Sequence, residues 1–140
     1  MNFTVISVGR LKEGYWVQAV DEYVKRIKGF GKINLIDVKD GSAVLAKIPD
    51  GAYVFALCIE GESLSSEKFS LVLEKIYLSE KKGICFMIGG AEGLSPQTKS
   101  VCDMKLSMSA MTFPHRLAKV MLLEQLYRAL SIQNNRNYHK

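Results

Sequence analysis

Residues 52–59, Ala-Tyr-Val-Phe-Ala-Leu-Cys-Ile, are apolar at nearly every position rather than at every second one. A strand with one solvated face alternates polar and apolar residues. A run without alternation must be covered on both faces, as a central strand of a parallel sheet is. Residues 84–88, Ile-Cys-Phe-Met-Ile, repeat the pattern and stop at Gly89 and Gly90. Parallel neighbours need long crossovers, usually helical, and the segments between these runs supply them. From Tyr15 the apolar residues Tyr15, Trp16, Ala19, Val20, Tyr23, Val24 and Ile27 keep a helical rhythm that Gly29 stops. Ser65 caps a second predicted helix whose buried stripe is Phe69, Val72, Leu73, Ile76 and Tyr77. Further strands are predicted at 3–9, 33–38 and 104–107, a helical turn at 44–46, a short helix at 95–101 and a closing helix at 116–134. Strands alternating with helices specify an α/β fold: a parallel sheet flanked by helices on both sides, with residues 1–140 as one domain.

The closing helix carries its own constraint. Projected at 100° per residue, Leu117, Val120, Met121, Leu122, Leu123, Leu126, Tyr127, Leu130 and Ile132 leave no wide polar face. Such a helix must be buried nearly all round. One side covers the sheet, and the other predicts a homodimer.

Composition excludes several classes. With 140 residues, 48% apolar and 24% charged, the chain suits one soluble domain. No apolar run approaches the roughly 18–20 residues that cross a bilayer, so no membrane partner is expected. The start Met1-Asn2-Phe3-Thr4 lacks the order of a signal peptide. Cys58, Cys85 and Cys102 are odd in number and lack metal-ligand spacing, which predicts reduced thiols, a cytoplasmic protein and no metal. The net charge is +5, and residues 101–140 hold six Lys/Arg against two Asp/Glu, while residues 1–100 hold 13 against 12. Cations clustered at one end of the chain suit a polyanion such as RNA.

Two loops carry the candidate chemistry. Gly89 and Gly90 follow a buried strand and have no Cβ, so a ligand or another backbone can come close. Residues 107–114, Ser-Met-Ser-Ala-Met-Thr-Phe-Pro, form a second strand-to-helix loop. Two loops at the ends of neighbouring strands line one pocket. The glycines are no dinucleotide fingerprint, which belongs after the first strand with an acid about 20 residues on. A Walker lysine and a Gly-x-Ser-x-Gly nucleophile elbow are both missing.

The segments 88–95 (Ile-Gly-Gly-Ala-Glu-Gly-Leu-Ser), 106–115 (Leu-Ser-Met-Ser-Ala-Met-Thr-Phe-Pro-His), 124–129 (Glu-Gln-Leu-Tyr-Arg-Ala) and 138–140 (Tyr-His-Lys) occur in that order. In these segments the chain resembles the SPOUT-class methyltransferases that methylate N3 of a pseudouridine in large-subunit ribosomal RNA. Val8-Gly9-Arg10-Leu11-Lys12 and Tyr15-Trp16 extend the resemblance over essentially the whole chain. It implies a deep trefoil knot at the C-terminal end, S-adenosyl-L-methionine as cofactor, ribosomal RNA or the ribosome as partner, and a homodimer. By resemblance, Leu57, Gly89, Met108, Ser109, Ala110, Met111, Thr112 and Phe113 contact the cofactor. Removal of the N3 proton needs a base in hydrogen-bond reach, and His139, Tyr138 and His115 are the catalytic candidates. Arg116, Arg136 and Lys140 are assigned to RNA. Residues 39–51 are shorter than the segment relatives carry there. Two alternatives stay open: a SPOUT methyltransferase with another RNA target, and a ribosome-binding module without catalysis.

Overall fold

The computed structural model describes residues 1–138. Five strands, β1 (Asn2–Val8), β2 (Lys32–Val38), β3 (Ala52–Ser63), β4 (Gly83–Ile88) and β5 (Met104–Ser107), form one parallel sheet in the order β2-β1-β4-β3-β5. The crossovers carry α1 (Gly14–Ile27), α2 (Ser66–Tyr77), the single-turn α3 (Pro96–Lys99) and α4 (His115–Gln133). Ser65 caps α2 by accepting from the Lys68 amide, as the sequence predicts, and Ser95 caps α3 through the Thr98 amide.

The unbroken apolar runs are explained by burial on both faces. On one face Phe3, Val5, Phe55, Ile84 and Phe86 pack beneath α1, α2 and α4. Phe55 and Phe86, adjacent on β3 and β4, stack at 4.7 Å, and Phe69 of α2 meets both rings edge-on at 6.2 Å. On the other face Ile6, Val54, Ala56, Cys85 and Met87 pack with Val44, Leu94 and Cys102. Cover there is thin: two 3₁₀ turns (Gly41–Ala43 and Leu45–Lys47) and the segment around α3. The sheet is flanked on both sides, but the three long helices share one.

Helix α4 lies between α1 and α2. Ser70 Oγ of α2 donates to the Ala129 carbonyl, Ser66 Oγ to Gln125 Oε1, and Gln133 Nε2 to the Ser70 carbonyl. On the α1 side Arg116 meets Glu13, and the Arg26 guanidinium sits 5.6 Å from the Tyr127 ring centre. Every residue of α4 is buried or half-buried. Neighbouring helices of the same chain supply part of that cover, and Leu117, Val120, Met121, Tyr127 and Ile132 stay only half-buried within the one chain.

Strand β3 runs past the predicted end at residue 59. Residues 58–61 leave the ladder after Leu57, and Glu62 and Ser63 rejoin it against Leu106 and Ser107. Gly61 makes this possible, because a Cβ there would stand 2.7 Å from the Leu106 backbone. Gly61→Ala should therefore pry β3 from β5 and cost about 1–3 kcal/mol. A lowered denaturant midpoint checks this, and an unchanged one would show that the contact can relax.

Candidate functional site

In an open parallel sheet, ligands bind beyond the carboxyl ends of the strands. Three strands of this sheet deliver loops to the same rim. The end of β3 brings Leu57, Cys58, Ile59 and Glu60; β4 brings Ile88 and residues 89–94; β5 brings Met108, Ser109, Met111, Thr112 and Phe113. With His115 and Ala118 from α4 and Lys99 from α3, they enclose a cavity of about 760 Å³, within the roughly 300–1,000 Å³ of small-molecule sites.

The first loop is held by its own backbone. The Gly93 amide donates to the Gly90 carbonyl at 3.0 Å, closing a turn over Ala91 and Glu92, and Gly93 has φ of +74°. At Gly89 a Cβ would stand 2.4 Å from Gly93 C and 2.6 Å from the Leu94 amide nitrogen. The close approach that a glycine permits there is made by the chain itself. In the second loop, Ser107 Oγ donates to the Ser109 carbonyl, and Ser109 Oγ accepts from the Met111 amide. The two serines thus shape the loop that presents Met111, Thr112 and Phe113.

Of the residues assigned to a cofactor, Leu57, Gly89, Met108, Ser109, Met111, Thr112 and Phe113 line this one cavity, while Ala110 is exposed outside its lining. His115 lines it as well and stands near Gly9, the residue after β1: a Cβ on Gly9 would lie 3.6 Å from His115 Nε2. Arg116 faces away, 3.5 Å from Glu13, and both Arg116 Nε and Glu13 Oε2 are buried without a hydrogen-bond partner. Arg136 lies toward the other end of α4, its guanidinium 5.9 Å from the Phe30 ring centre. Tyr138 folds back on its own α4, donating to Glu124 Oε2 at 2.8 Å and meeting the Tyr127 ring edge-on at 4.6 Å. Burial, with the hydrogen bond to Glu124, pushes its phenol well above the ordinary range. His139 and Lys140 lie outside the described residues.

Three features of the site were not read from the sequence. Glu60 and Lys99 both line the cavity and pair at 2.6 Å, one carboxylate and one ammonium at its rim. Cys58 lines the same wall, although its place in an apolar run suggested packing alone. Lys119, one turn beyond His115, is buried and donates to Asp37 Oδ1 at 2.9 Å, where Ser7 Oγ also donates. This network ties the start of α4 to the ends of β1 and β2. The Glu124–Arg128 pair, by contrast, follows from i, i+4 spacing and is present at 2.7 Å.

Comparison with known proteins adds three findings. A family model described as "Predicted SPOUT methyltransferase" matches residues 1–139. The chain is 43% identical to Ribosomal RNA large subunit methyltransferase H 1 of Clostridium perfringens and 41% to Ribosomal RNA large subunit methyltransferase H of Alkaliphilus oremlandii, covering all of both chains. Each alignment has 159 positions against 140 residues here, so 19 positions have no counterpart in this chain. Among solved structures, a probable methyltransferase from Bordetella pertussis superposes with a TM-score of 0.57 at 13% identity, over 92% of this chain and 96% of that one. The SpoU methyltransferase AviRb from Streptomyces viridochromogenes, solved in complex with the cofactor AdoMet, gives 0.54 at 12%, over 97% and 59%.

The cysteines offer a check on the cavity. Burial raises the Cys58 thiol above its ordinary value and lifts that of Cys85, inside the sheet, to about 12. A raised thiol pKa means little thiolate at neutral pH. Alkylation of Cys58 should therefore be slow at pH 7 and accelerate as pH rises, while Cys85 stays unlabelled in the folded protein. Rapid labelling of Cys85 under native conditions would contradict this burial.

Proposed function

Because the chain belongs to the SPOUT methyltransferase family, we propose that it transfers a methyl group from S-adenosyl-L-methionine to N3 of a pseudouridine in 23S ribosomal RNA, acting on the assembled ribosome in the cytoplasm. Residues 1–140 serve as one catalytic domain, and family membership implies the deep trefoil knot at its C-terminal end. Among the described residues, no helix is long and apolar enough to cross a membrane. The observation that carries the reading is the convergence of the irregular stretch of β3 and the loops after β4 and β5 on one cavity lined by seven of the eight residues assigned to the cofactor.

The cavity suits S-adenosylmethionine. Leu57, Ile88, Leu94, Met108 and Phe113 give apolar walls for an adenine ring, and the segments at 90–93 and 111–113 line the space for ribose and adenine edges. Glu60 and Lys99 set both signs of charge at the rim, matching the α-amino and α-carboxylate groups of a methionine tail. When bound, this cofactor supplies an already activated methyl group. What remains for the protein is alignment and exclusion of water. The serine-braced loop 107–113 holds position, His115 lines the cavity wall, and in this reading His115 and His139 have the role of accepting or relaying the N3 proton.

RNA contacts are assigned to Arg116, Arg136 and Lys140. Arg116 is partly neutralised by Glu13, so a phosphate must take Glu13's place. A homodimer completes the site. Tyr15 and Met111 are strongly exposed apolar surface. Tyr138 is docked on its own α4 and lines no part of its own cavity. In the dimer, the tail of one protomer covers the cavity of its partner, where Tyr138 contacts the target base and His139 accepts its proton.

S-adenosylmethionine should protect Cys58 from alkylation, and undiminished labelling at saturating cofactor would remove this cavity from the reading. Deleting residues 138–140 should leave cofactor binding almost unchanged while methyl transfer to ribosomes lacking the mark falls by about 10²-fold or more. Normal turnover in that variant would overturn the assignments of Tyr138 and His139. Sedimentation at micromolar concentration should show a dimer, held by an interface of at least about 1,000 Å²; a soluble monomer would exclude the composite site.

A further inference from the structure

A second cavity lies at the opposite end of the sheet. It measures about 410 Å³ and sits where β1, β2 and β4 begin, lined by Asn2, Gly31, Lys32, Ile76, Tyr77, Lys81 and Lys82 among others. Three lysines line it and no carboxylate does. All three are exposed, and none appears in an ion pair among the described residues. Five other cations are in ion pairs, Arg26 with Glu22, Lys99 with Glu60, Arg116 with Glu13, Lys119 with Asp37 and Arg128 with Glu124, whereas these three share one concavity without a carboxylate. Like charges around one concavity repel one another, and pairing would relieve that cost. Their remaining unpaired fits a site that takes its anion from outside.

The frame of the cavity is fixed by backbone contacts. The Lys82 amide donates to the Gly51 carbonyl, the Lys81 amide to Ser79 Oγ, and the Lys32 amide to the Met1 carbonyl. Beside the lysines, Tyr77 of the α2 terminus is 59% exposed and Leu78 is 76% exposed. Arg136 joins this end of the molecule through Phe30, which directly precedes Gly31 and Lys32. An exposed aromatic ring flanked by point-charge ammonium groups is the combination that tracks a nucleic-acid backbone and stacks a base without reading sequence.

We propose that Lys32, Lys81 and Lys82 form a second RNA-binding site that engages backbone phosphates of the ribosomal substrate, with Tyr77 stacking on an unpaired base. The proposal rests on the RNA-methyltransferase reading above. This edge lies at the end of the sheet away from the cofactor cavity, the end that also carries Arg136. The site serves affinity and placement, not the methyl-transfer step.

The test compares wild type with Lys32→Gln/Lys81→Gln/Lys82→Gln. A charge-matched control, Lys39→Gln/Lys47→Gln/Lys68→Gln, removes three exposed lysines elsewhere. Binding of ribosomes lacking the mark is titrated over a range of salt, alongside methylation kinetics and S-adenosylmethionine binding. The cavity variant should raise KM for RNA about tenfold or more and flatten the slope of log K against log salt by roughly 2–3. Its kcat at saturating RNA and its cofactor affinity should stay at wild-type values, and the control should move little. A cavity variant with wild-type KM and salt slope would overturn the proposal. Equal losses in variant and control would also overturn it, by showing a net-charge effect without a site. Tyr77→Ala, leaving all lysines in place, should weaken RNA binding with an unchanged salt slope; no loss would remove the stacking role. Wild-type protein that binds these ribosomes but methylates none would instead sink the methyltransferase reading, and the binding data would still decide this site.

Discussion

Strand β3 is the element on which the rest depends. It pairs with β4 on one side and β5 on the other, so it links the wide sheet to the edge that carries the 107–114 loop. Its anchor is apolar: Phe55 is wholly buried, stacked on Phe86 and closed off by Phe69. Burial of large rings at this density stabilises strongly and tolerates little displacement. Beside that anchor, polar contacts set the register: Asp103 accepts from the Val54 amide and its own amide donates to the Val54 carbonyl. The excursion at residues 58–61 then aims Cys58 and Glu60 into the cavity. Rigidity at the Phe55 end thus allows irregularity at the ligand end.

The electrostatics divide along the same lines. Buried charge sits where the architecture must be held: Lys119, almost wholly covered, binds Asp37 Oδ1, and Ser7 Oγ donates to the same oxygen. Such a pair adds little net stability, since desolvation offsets much of its Coulomb energy, yet leaving Lys119 alone would be costly. It therefore acts as a register pin for the start of α4 and so for His115. Half-satisfied charge sits at Glu13 and Arg116, where each keeps a buried atom without a partner. Unpaired cations lie at the far sheet edge, facing solvent. Burial declines from the first group to the last, and availability to a polyanion rises.

Most of the fold was legible because each element carries a local signature. The all-apolar runs in β3 and β4 marked central strands, Ser65 marked the α2 start, and the i, i+4 stripes marked α1 and α2. The cavity was legible too, since glycine and serine loops after buried strands must gather at the carboxyl edge of a parallel sheet. The roles within it were not. Gly89 reads equally well as a place for ligand or for backbone, and only the folded loop shows Gly93 and Leu94 occupying that space. An all-round apolar helix likewise announces burial but not what buries it; α1 and α2 flank α4, a matter of packing.

By itself, then, the sequence determined the strands, the helices and the parallel class, because period and capping act within a few residues. It also determined the pair Glu124–Arg128, which one helical turn brings together. Tertiary structure alone decided the pairs separated by long stretches of chain: Lys99 with Glu60, Lys119 with Asp37, and Lys32 beside Lys81 and Lys82. Sequence spacing carries no information about such meetings. Their distances are set by strand order and crossover packing, which become defined only when the whole sheet closes around its core.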